Sequence, residues 1–233
     1  MAFDPAITVA RLVTEHPSAA RVFQKHGIDY CCHGNVSLTQ ACLDAGLDRG
    51  AVLAELDAAL AAAGPQGEED ARALSTAALV ARIIDRHHAY LRRSLPYIAP
   101  IMAKVAHVHG PKDEHLHELE EVFTALHDAL LPHLDEEEQV LFPLLMAGRS
   151  DPARAAGELA RMLADHLEVG DLLARIRQLT GGFATPEWAC NTYRVLMAEL
   201  DALEADILRH VHLENHVLAP RFEAVADRPA CSA

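Results

Sequence analysis

The sequence predicts an all-α protein in which a small helical domain precedes a four-helix bundle. The 233 residues are 51% hydrophobic and only 5% aromatic, and they contain no long alternating run of β-branched residues, so helix is favoured nearly throughout. Apolar residues recur in steps of three and four along four long segments. One pattern, HxxxExxVLxP, starts at His133 and again at His210, and such a repeat indicates a bundle built from two matched halves.

Residues 1–64 are expected to form the small helical domain. Pro17 and three glycines break this region into short helices, and Ser37-Leu-Thr-Gln40 matches a capping box. An Ala-rich helix over residues 48–63 ends at a run of turn formers and charges, which marks residues 65–72 as a linker. The remaining segments are the bundle, residues 73–226, and a C-terminal tail, residues 227–233.

Each apolar stripe predicts one bundle helix. The stripes cover residues 80–95, 116–144, 151–181 and 185–217, the first ending before Pro96 and Pro100. Asp151-Pro152 and Thr185-Pro186 are good N-cap and first-position pairs for helices three and four. Pro132 should kink helix two just before His133, and the kink either re-aims that side chain or is accommodated by an irregular turn.

Charge and cysteine content limit the environment and the partners. The formal net charge of −14 argues against nucleic acid and anionic membranes, because both bind through clustered Lys and Arg. Neither a signal peptide nor an uninterrupted apolar stretch of about 20 residues is visible, so no membrane span is expected. Five cysteines without disulfide-scaffold spacing suit a reducing compartment, and we expect a cytoplasmic protein.

Six residues on these stripes form two matched sets of candidate metal ligands. The HxxxE pairs His133/Glu137 and His210/Glu214 are each preceded by a lone histidine, which is His88 for the first pair and His166 for the second. Residues i and i+4 on a helix face the same way, so each pair sends an imidazole and a carboxylate into the bundle together. Four-helix bundles build dinuclear sites in this manner.

The ligand types favour iron. A buried Glu is costly unless it is paired or bound to a metal. Four imidazoles and two carboxylates suit iron, manganese or zinc, and two bridging carboxylates suit a redox pair of iron atoms. We therefore predict two non-haem iron ions in an oxo-bridged di-iron centre. Each metal would have four protein ligands, which leaves room for an exogenous ligand.

The other histidines and three cysteines are interpreted as ordinary. His212 and His216 lie off the stripe and are expected at the surface. His87 either substitutes for His88 or supports it from outside the ligand set. Histidines without a repeat partner are expected to be solvated: His107, His109, His115, His117 and His127. Cys42, Cys190 and Cys231 carry no motif and are interpreted as structural or incidental.

The arrangement of the six candidate ligands resembles the hemerythrin-like di-iron domain. Upstream, Gly27-Ile-Asp-Tyr-Cys31-Cys32-His-Gly34-Asn35, followed by Ser37-Leu and Ala41-Cys42, resembles the N-terminal domain of iron-sulfur cluster repair proteins of the ScdA, YtfE and DnrN type. Together the motifs cover nearly the whole chain. The resemblance implies a cytoplasmic stress protein whose di-iron centre, held by the six residues, helps to restore iron-sulfur clusters damaged by nitric oxide or oxidants.

The cysteine pair of that family corresponds to Cys31 and Cys32. Adjacent cysteines are poorly placed to bond to each other without strain, so this pair is better suited to an intermolecular disulfide, metal transfer or contact with a cluster. Two unreactive thiols in a tight turn remain the alternative. His33 stands where glycine is expected in many relatives, and it either adds a ligand or alters the turn. The expected partners are damaged iron-sulfur proteins, with a homodimer through the N-terminal domain also possible.

Three other functions compete with repair. A module that binds or senses nitric oxide or dioxygen without repair is the main alternative, but oxygen-carrying hemerythrins supply a fifth His in an HxxxH pair, where this chain has Gly170 after His166. Ferritin-type ferroxidases need two ExxH motifs, and the chain offers only Glu114-His117, off the stripe. The interpretation leans away from a classical turnover enzyme, although reduction of nitric oxide stays open.

Overall fold

The computed structural model describes residues 4, 6–63, 70–147 and 151–223, and within these ranges the chain is helical and contains no β-strand. The all-α prediction is therefore confirmed. Most of the predicted linker, the predicted tail and Cys231 lie outside the described residues. Within the described ranges, none of the helices combines the length and the apolar character that a membrane crossing requires.

Four short helices form the N-terminal domain: α1 (Val9–Glu15), α2 (Ala19–Lys25), α3 (Leu38–Asp44) and α4 (Arg49–Ala63). Their starts are set by side chains that accept a backbone N–H of the first turn, as at Thr8, Ser37 and Asp48. The Ser37 hydroxyl accepts the Gln40 N–H, which is one half of the predicted capping box, while the Gln40 side-chain amide donates to Asp44. Tyr30 and Phe23 are fully buried and fill the centre of this domain.

Four long helices form the bundle, and three of them contain a π-helical turn. Helix α5 comprises Thr76–Arg82, a π turn Ile83–His88 and Ala89–His109; α6 comprises His115–Glu136, a π turn Glu137–Leu141 and Phe142–Met146; α7 is Pro152–Leu179; α8 comprises Asn191–Leu213 and a π turn Glu214–Leu218, with Pro220–Glu223 following. Helix α5 packs against α6 and α8, and α6 packs against α7.

The prolines interrupt the helices less than the sequence suggests. Helix α5 continues through Pro96 and Pro100 to His109, and α6 continues through Pro132. Tertiary packing of their apolar faces outweighs the lost backbone hydrogen bonds. The predicted start of helix four was wrong: Thr185-Pro186 opens a turn, and α8 begins at Asn191 with Cys190 as its N-cap. Asp151 does cap α7, where it accepts the Arg154 N–H.

The π turns shift the buried face by one residue, which the stripe analysis did not anticipate. In α6 we predicted Val140 and Leu144 in the core, but both are half-buried, while Leu141 and Leu145 are buried. A π turn closes an i to i+5 hydrogen bond, here between the Phe142 N–H and the Glu137 carbonyl, and so inserts one residue into the helix. The helix face beyond Glu137 is therefore displaced by one position.

A polar layer divides the interior of the bundle. The larger apolar cluster includes Leu91, Leu130, Val169 and Ile207, and it extends into the N-terminal domain. The smaller cluster fills the opposite end of the bundle, with Phe142 at its centre. Between them each bundle helix contributes its candidate metal ligands, so the layer is closed off from water on both sides.

Candidate metal centre

One half of the polar layer joins helices α5 and α8. The Nε2 atoms of His88 and His210 lie 3.0 Å apart, and the His210 Nε2 lies 3.0 Å from Glu214 Oε1. The His88 Nε2 lies 3.4 Å from Glu137 Oε2. Two imidazoles and one oxygen from each carboxylate therefore converge on a single point, with ligand atoms close enough to share a cation.

The other half of the layer joins helices α6 and α7 and repeats the same pattern. The Nε2 atoms of His133 and His166 lie 3.2 Å apart. His133 Nε2 is 3.2 Å from Glu137 Oε1, and His166 Nε2 is 3.3 Å from Glu214 Oε2. Each carboxylate thus gives one oxygen to each half. Shared carboxylates are the arrangement that a pair of adjacent metal ions requires.

The protein alone does not satisfy these carboxylates. Glu137 is 1% exposed and Glu214 is 0% exposed, yet within the described ranges both Glu137 oxygens and Glu214 Oε2 lack a donor in good hydrogen-bond geometry, and they have imidazole nitrogens only at 3.2–3.4 Å. Buried carboxylates without partners are strongly unfavourable. Cations held between the two imidazole pairs would remove that cost, so the residues fit a dinuclear metal site. We call the polar layer that contains these six residues the metal layer.

Three of the four imidazoles are fixed from outside by a polar side chain. The His88 Nδ1 lies 2.9 Å from Glu138 Oε1, and the His166 Nδ1 lies 2.7 Å from Asn215 Oδ1. These partners occupy the same position of the repeat, one residue after each bridging Glu, and that signal in the sequence could have found them. Partners of this kind fix the ring orientation and raise the basicity of the imidazole that faces the metal.

The second repeat lacks one such partner. Asp165, which precedes His166, lies 3.2 Å from the His133 Nδ1. The equivalent residue before His88 is His87, and its ring stacks on His210 at 5.8 Å instead of bonding to it. The buried His210 Nδ1 is left without a partner. The two halves therefore have matching candidate ligands but differ in the side chains that bond to the Nδ1 atoms of those histidines.

The carboxylates shift the pKa values of the histidines beside them. Burial disfavours the imidazolium form of His88, but the carboxylates of Glu137 and Glu214, which accept hydrogen bonds from it, outweigh burial and raise the pKa of His88 to about 10. The pKa of His133 rises to about 9 against the same opposition, chiefly through Glu137. Burial dominates at His210 and lowers its pKa. Despite its burial, the pKa of Glu214 is held well below the usual range by His210 and His166.

Comparison with known proteins matches this architecture over most of the chain. The hemerythrin HHE cation-binding domain matches residues 79–222, and ScdA_N, a domain of unknown function, matches residues 6–60. Over 92% of its length the chain is 33% identical to the iron-sulfur cluster repair protein ScdA of Staphylococcus haemolyticus, and the match covers 96% of that protein. Over 88% of its length it is 35% identical to the iron-sulfur cluster repair protein YtfE of Yersinia pseudotuberculosis and of Yersinia pestis, with 91% of each covered. The chain belongs to the family of ScdA and YtfE.

The thiol turn, which we define as residues 29–33 of the ScdA_N domain, packs directly on the metal layer. The Cys31 carbonyl accepts a hydrogen bond from Asn215 Nδ2 at 3.0 Å, and the His216 Nε2 lies 2.9 Å from the same oxygen. The Cys32 Sγ lies 3.3 Å from the His166 carbonyl oxygen. Asn215 therefore touches both the thiol turn and a candidate ligand. Sequence reasoning did not place the cysteines beside the metal layer.

Asp29 organises the thiol turn. Its carboxylate accepts the backbone N–H groups of Cys31 and Cys32 at 2.9 and 2.8 Å, and the His33 Nδ1 lies 2.7 Å from it. His33 is exposed and is not part of the metal layer, so it shapes the turn. The two Sγ atoms are 3.5 Å apart and both thiols are free. Cys31 is 2% exposed, and its pKa is raised well above the usual range by the Cys32 contact, burial and Asp29. In this packing Cys31 is a protonated thiol, and Cys32 is the more accessible of the pair.

Gly170 provides the space for this turn. It lies four residues after His166, and a Cβ at this position would be 3.5 Å from Cys32 Sγ. A methyl group would make only an ordinary contact with this thiol, whereas a side chain as large as imidazole would displace it. The position that carries the fifth His in oxygen-carrying hemerythrins is therefore covered by the Cys32 side chain.

Several other histidines are not where the sequence predicted. His212 is 3% exposed, and it lies between Thr14, at 3.0 Å, and the Tyr30 carbonyl, so the surface interpretation was wrong. Burial first, and then His216, lowers its pKa to about 3. His216 is half-buried against the thiol turn. The periodicity of apolar residues along α8 did not predict this burial, because it cannot reveal a second domain packed on the outer face of the helix.

The structure favours one of the two roles predicted for His87 and contradicts the prediction for His109. His87 is buried, and its Nδ1 lies 3.0 Å from Asp206 Oδ1, so it supports the site from outside and does not replace His88. His109 was expected in solvent but is buried at the end of α5. The others behave as expected or nearly so: His107, His115 and His117 are exposed, and His127 is half-buried.

Proposed function

We propose that this chain repairs iron-sulfur clusters damaged by nitrosative or oxidative stress, using a non-haem di-iron site that binds nitric oxide, donates iron, or does both. Its relatives ScdA and YtfE are named iron-sulfur cluster repair proteins, and the match to them extends over both domains. The observation that carries the proposal is the contact between the thiol turn and a dinuclear-type site in which both carboxylates are shared. A gas-binding bundle alone has no need of that contact.

The six residues at the centre of the bundle are proposed as the iron ligands: His88, His133, Glu137, His166, His210 and Glu214. When bound, iron supplies one-electron chemistry and open positions for a small ligand. The chain's own contribution is to hold the two carboxylates in a dry layer, where they favour divalent cations strongly. Glu138, Asp165 and Asn215 hold three of the imidazoles in orientation.

Cys31 and Cys32 are proposed as the residues that meet the damaged cluster or pass metal to it. Support comes from their position, since Cys32 touches the carbonyl of His166 and the Cys31 carbonyl touches Asn215, which bonds to His166. A change in the thiol turn is thereby transmitted to a ligand. An open groove beside the turn is lined by both domains and would admit part of a client protein; its residues include Gly27, Asp29, Leu167 and Arg177. A homodimer through the N-terminal domain is a further possibility for how the thiols are presented.

The position of Gly170 argues against a reversible dioxygen carrier, which is one form of the main alternative, a hemerythrin-like module that binds or senses nitric oxide or dioxygen without repair. An oxygen carrier needs a fifth imidazole at that position, and Cys32 occupies the available space. Release of nitrous oxide by the ferrous protein under anaerobic conditions would identify a turnover enzyme that reduces nitric oxide.

The proposal predicts that anaerobically prepared ferrous protein restores activity to an iron-sulfur enzyme inactivated by nitric oxide. Glu137→Leu and Glu214→Leu should each lose repair together with most of the bound iron, because each removes a ligand to both metals. The measurements are recovered enzyme activity and iron content per chain. Glu121→Leu is the matched control, since it makes the same change at an exposed position of α6 and should leave both unchanged.

Full repair by an iron-free Glu137→Leu protein would refute the di-iron role. A variant in which Ser replaces both Cys31 and Cys32 tests the thiols separately. If this variant repairs as well as wild type, the thiols have no role in repair and only the di-iron part of the proposal remains.

A further inference from the structure

A second reactive centre lies at the end of the bundle remote from the metal layer. Cys190 is exposed and is the N-cap residue of α8, while His109 is the last residue of α5. His109 Nε2 lies 3.2 Å from Cys190 Sγ. At a rise of about 1.5 Å per residue along α5, this pair is about 30 Å from His88. The thiol therefore cannot act as a ligand of the proposed iron site.

The imidazole of this pair is fixed in place and points at the thiol. His109 is 9% exposed, and its Nε2 is within hydrogen-bond distance of the Cys190 sulfur. Trp188 and Tyr193 pack against the ring, with centroid separations of 5.6 and 5.8 Å. A nucleophile within hydrogen-bond reach of an oriented base is the arrangement of an activated thiol.

The surroundings favour the thiolate. The pKa of Cys190 is lowered to about 7, first by the backbone N–H of Tyr193 and then by His109. Charged or titratable groups near the pair include Lys112, whose Nζ is 5.8 Å from the Trp188 ring centroid, Tyr193 with the neighbouring Asp113, and His117, whose ring lies against Gly110.

We propose that Cys190 and His109 form a thiol–disulfide exchange site for low-molecular-weight disulfides. His109 Nε2 takes the proton of the Cys190 thiol. The thiolate then attacks one sulfur of the disulfide; a Cys190–sulfur bond forms, the original S–S bond breaks, and its electron pair leaves with the second sulfur, which takes up a proton. Cys190 is oxidised to a mixed disulfide while one thiol of the reagent is released in reduced form.

The other described cysteines lack these features. Cys31 is buried with a raised pKa, and burial also raises the pKa of Cys42. Cys32 is half-buried and sits against the His166 carbonyl. Exchange at neutral pH is therefore expected at Cys190 first. This site does not depend on the proposed repair function, because neither domain contact nor metal ligand is involved.

The test uses full-length iron-loaded protein in a Cys231→Ser background and oxidised glutathione as the probe. Peptide mapping by mass spectrometry should find the mixed disulfide at Cys190, and the rate should reach half its maximum near pH 7. His109→Gln should move that midpoint towards about 8.5, the ordinary thiol value. The rate at pH 6.5 should fall by up to about fivefold, since the smaller thiolate fraction is partly offset by higher nucleophilicity. His107→Gln, an exposed change on the same helix, should alter neither.

A second readout needs no variant. Trp188 is the chain's single tryptophan, so its emission should change as the mixed disulfide forms and recover on reduction. The proposal is overturned if wild-type exchange has its midpoint near 8.5 or if glutathione appears on Cys31 or Cys32 before Cys190. An unchanged pH profile in a folded His109→Gln protein would also overturn it. If that variant does not fold, the wild-type midpoint and the site of modification decide the question.

Discussion

At the scale of single residues, the two bridging glutamates determine the site. Each carboxylate directs one oxygen to each pair of imidazoles, so losing either Glu disturbs both halves. The residue after each glutamate, Glu138 or Asn215, holds the lone histidine of the other helix pair. The sequence repeat therefore specifies the candidate ligands and also two of the side chains that orient their imidazole rings.

Proton release is the first prediction at this scale. In the metal-free protein His88 and His133 have pKa values of about 10 and 9, so both carry a proton at pH 7. Metal binding needs the neutral imidazole and should release about two protons, one from each residue. Below pH 9 apparent ferrous affinity should therefore rise with pH, and above about pH 10 the dependence should vanish because both protons are already lost. Anaerobic titration calorimetry in buffers of different ionisation enthalpy measures the number released. An affinity independent of pH between 6.5 and 8 would contradict the prediction.

At the scale of elements, the π turns place the ligands. Three of the four bundle helices contain one, and each includes or immediately follows a candidate ligand. The inserted residue lets the helix present its ligand and then resume apolar packing on a shifted face, as Leu141 and Leu145 show. π turns are often found at functional sites.

Helix α7 is regular, and its special feature is the approach of Cys32 at Gly170. Gly170→Leu should force the thiol turn away from α7, because the side chain would occupy the position of Cys32. The expected result is faster alkylation of Cys31, which is 2% exposed in the packed turn. Mass spectrometry of the labelled peptide gives the rate.

Gly170→Ala is the matched control. Its Cβ would make only an ordinary contact with Cys32, and alanine favours helix over glycine by about 1 kcal/mol. This variant should keep Cys31 protected and should be no less stable than wild type. Equal Cys31 labelling in the Leu and Ala variants would show that Gly170 does not control the packing of the turn.

At the scale of the whole molecule, the metal layer separates two apolar clusters, and folding must bury it. Without metal, the protonated His88 and His133 compensate the two buried carboxylates only in part, because both Glu137 oxygens and Glu214 Oε2 lack well-formed hydrogen bonds, and the cost of desolvating these groups opposes folding. Each metal ion that binds the folded state should therefore raise the free energy of unfolding by about 3 kcal/mol when free metal is about 100 times its Kd, so two ions should add about 5 kcal/mol. This corresponds to a Tm increase of roughly 10–20 °C.

Thermal unfolding followed by circular dichroism tests this difference between iron-loaded and iron-free protein. A Glu137→Leu/Glu214→Leu protein should show no increase in Tm on adding ferrous iron, since both shared ligands are missing. Coincident melting curves for the loaded and iron-free wild type would mean that the layer contributes nothing to stability through metal.

Three features could be predicted from the amino-acid sequence alone. These are the all-α class, the order of a small helical region followed by a bundle, and the set of side chains that converge at the centre of the bundle. These follow from local rules, since helical spacing decides which residues share a face, and a duplicated pattern places them on four matched faces. Ser37 and Asp151 behave as caps for the same local reason.

Other features became visible only in the folded protein. These are which carboxylate oxygen faces which imidazole, where the π turns lie, and which residues cover the outer faces of the bundle helices. His212 is buried because the N-terminal domain packs on α8, and His109 meets Cys190 because α5 and α8 end side by side. Cys32 lies over Gly170 for a similar reason. Such contacts join residues far apart in the chain, and helical periodicity carries information only about neighbours within a few turns.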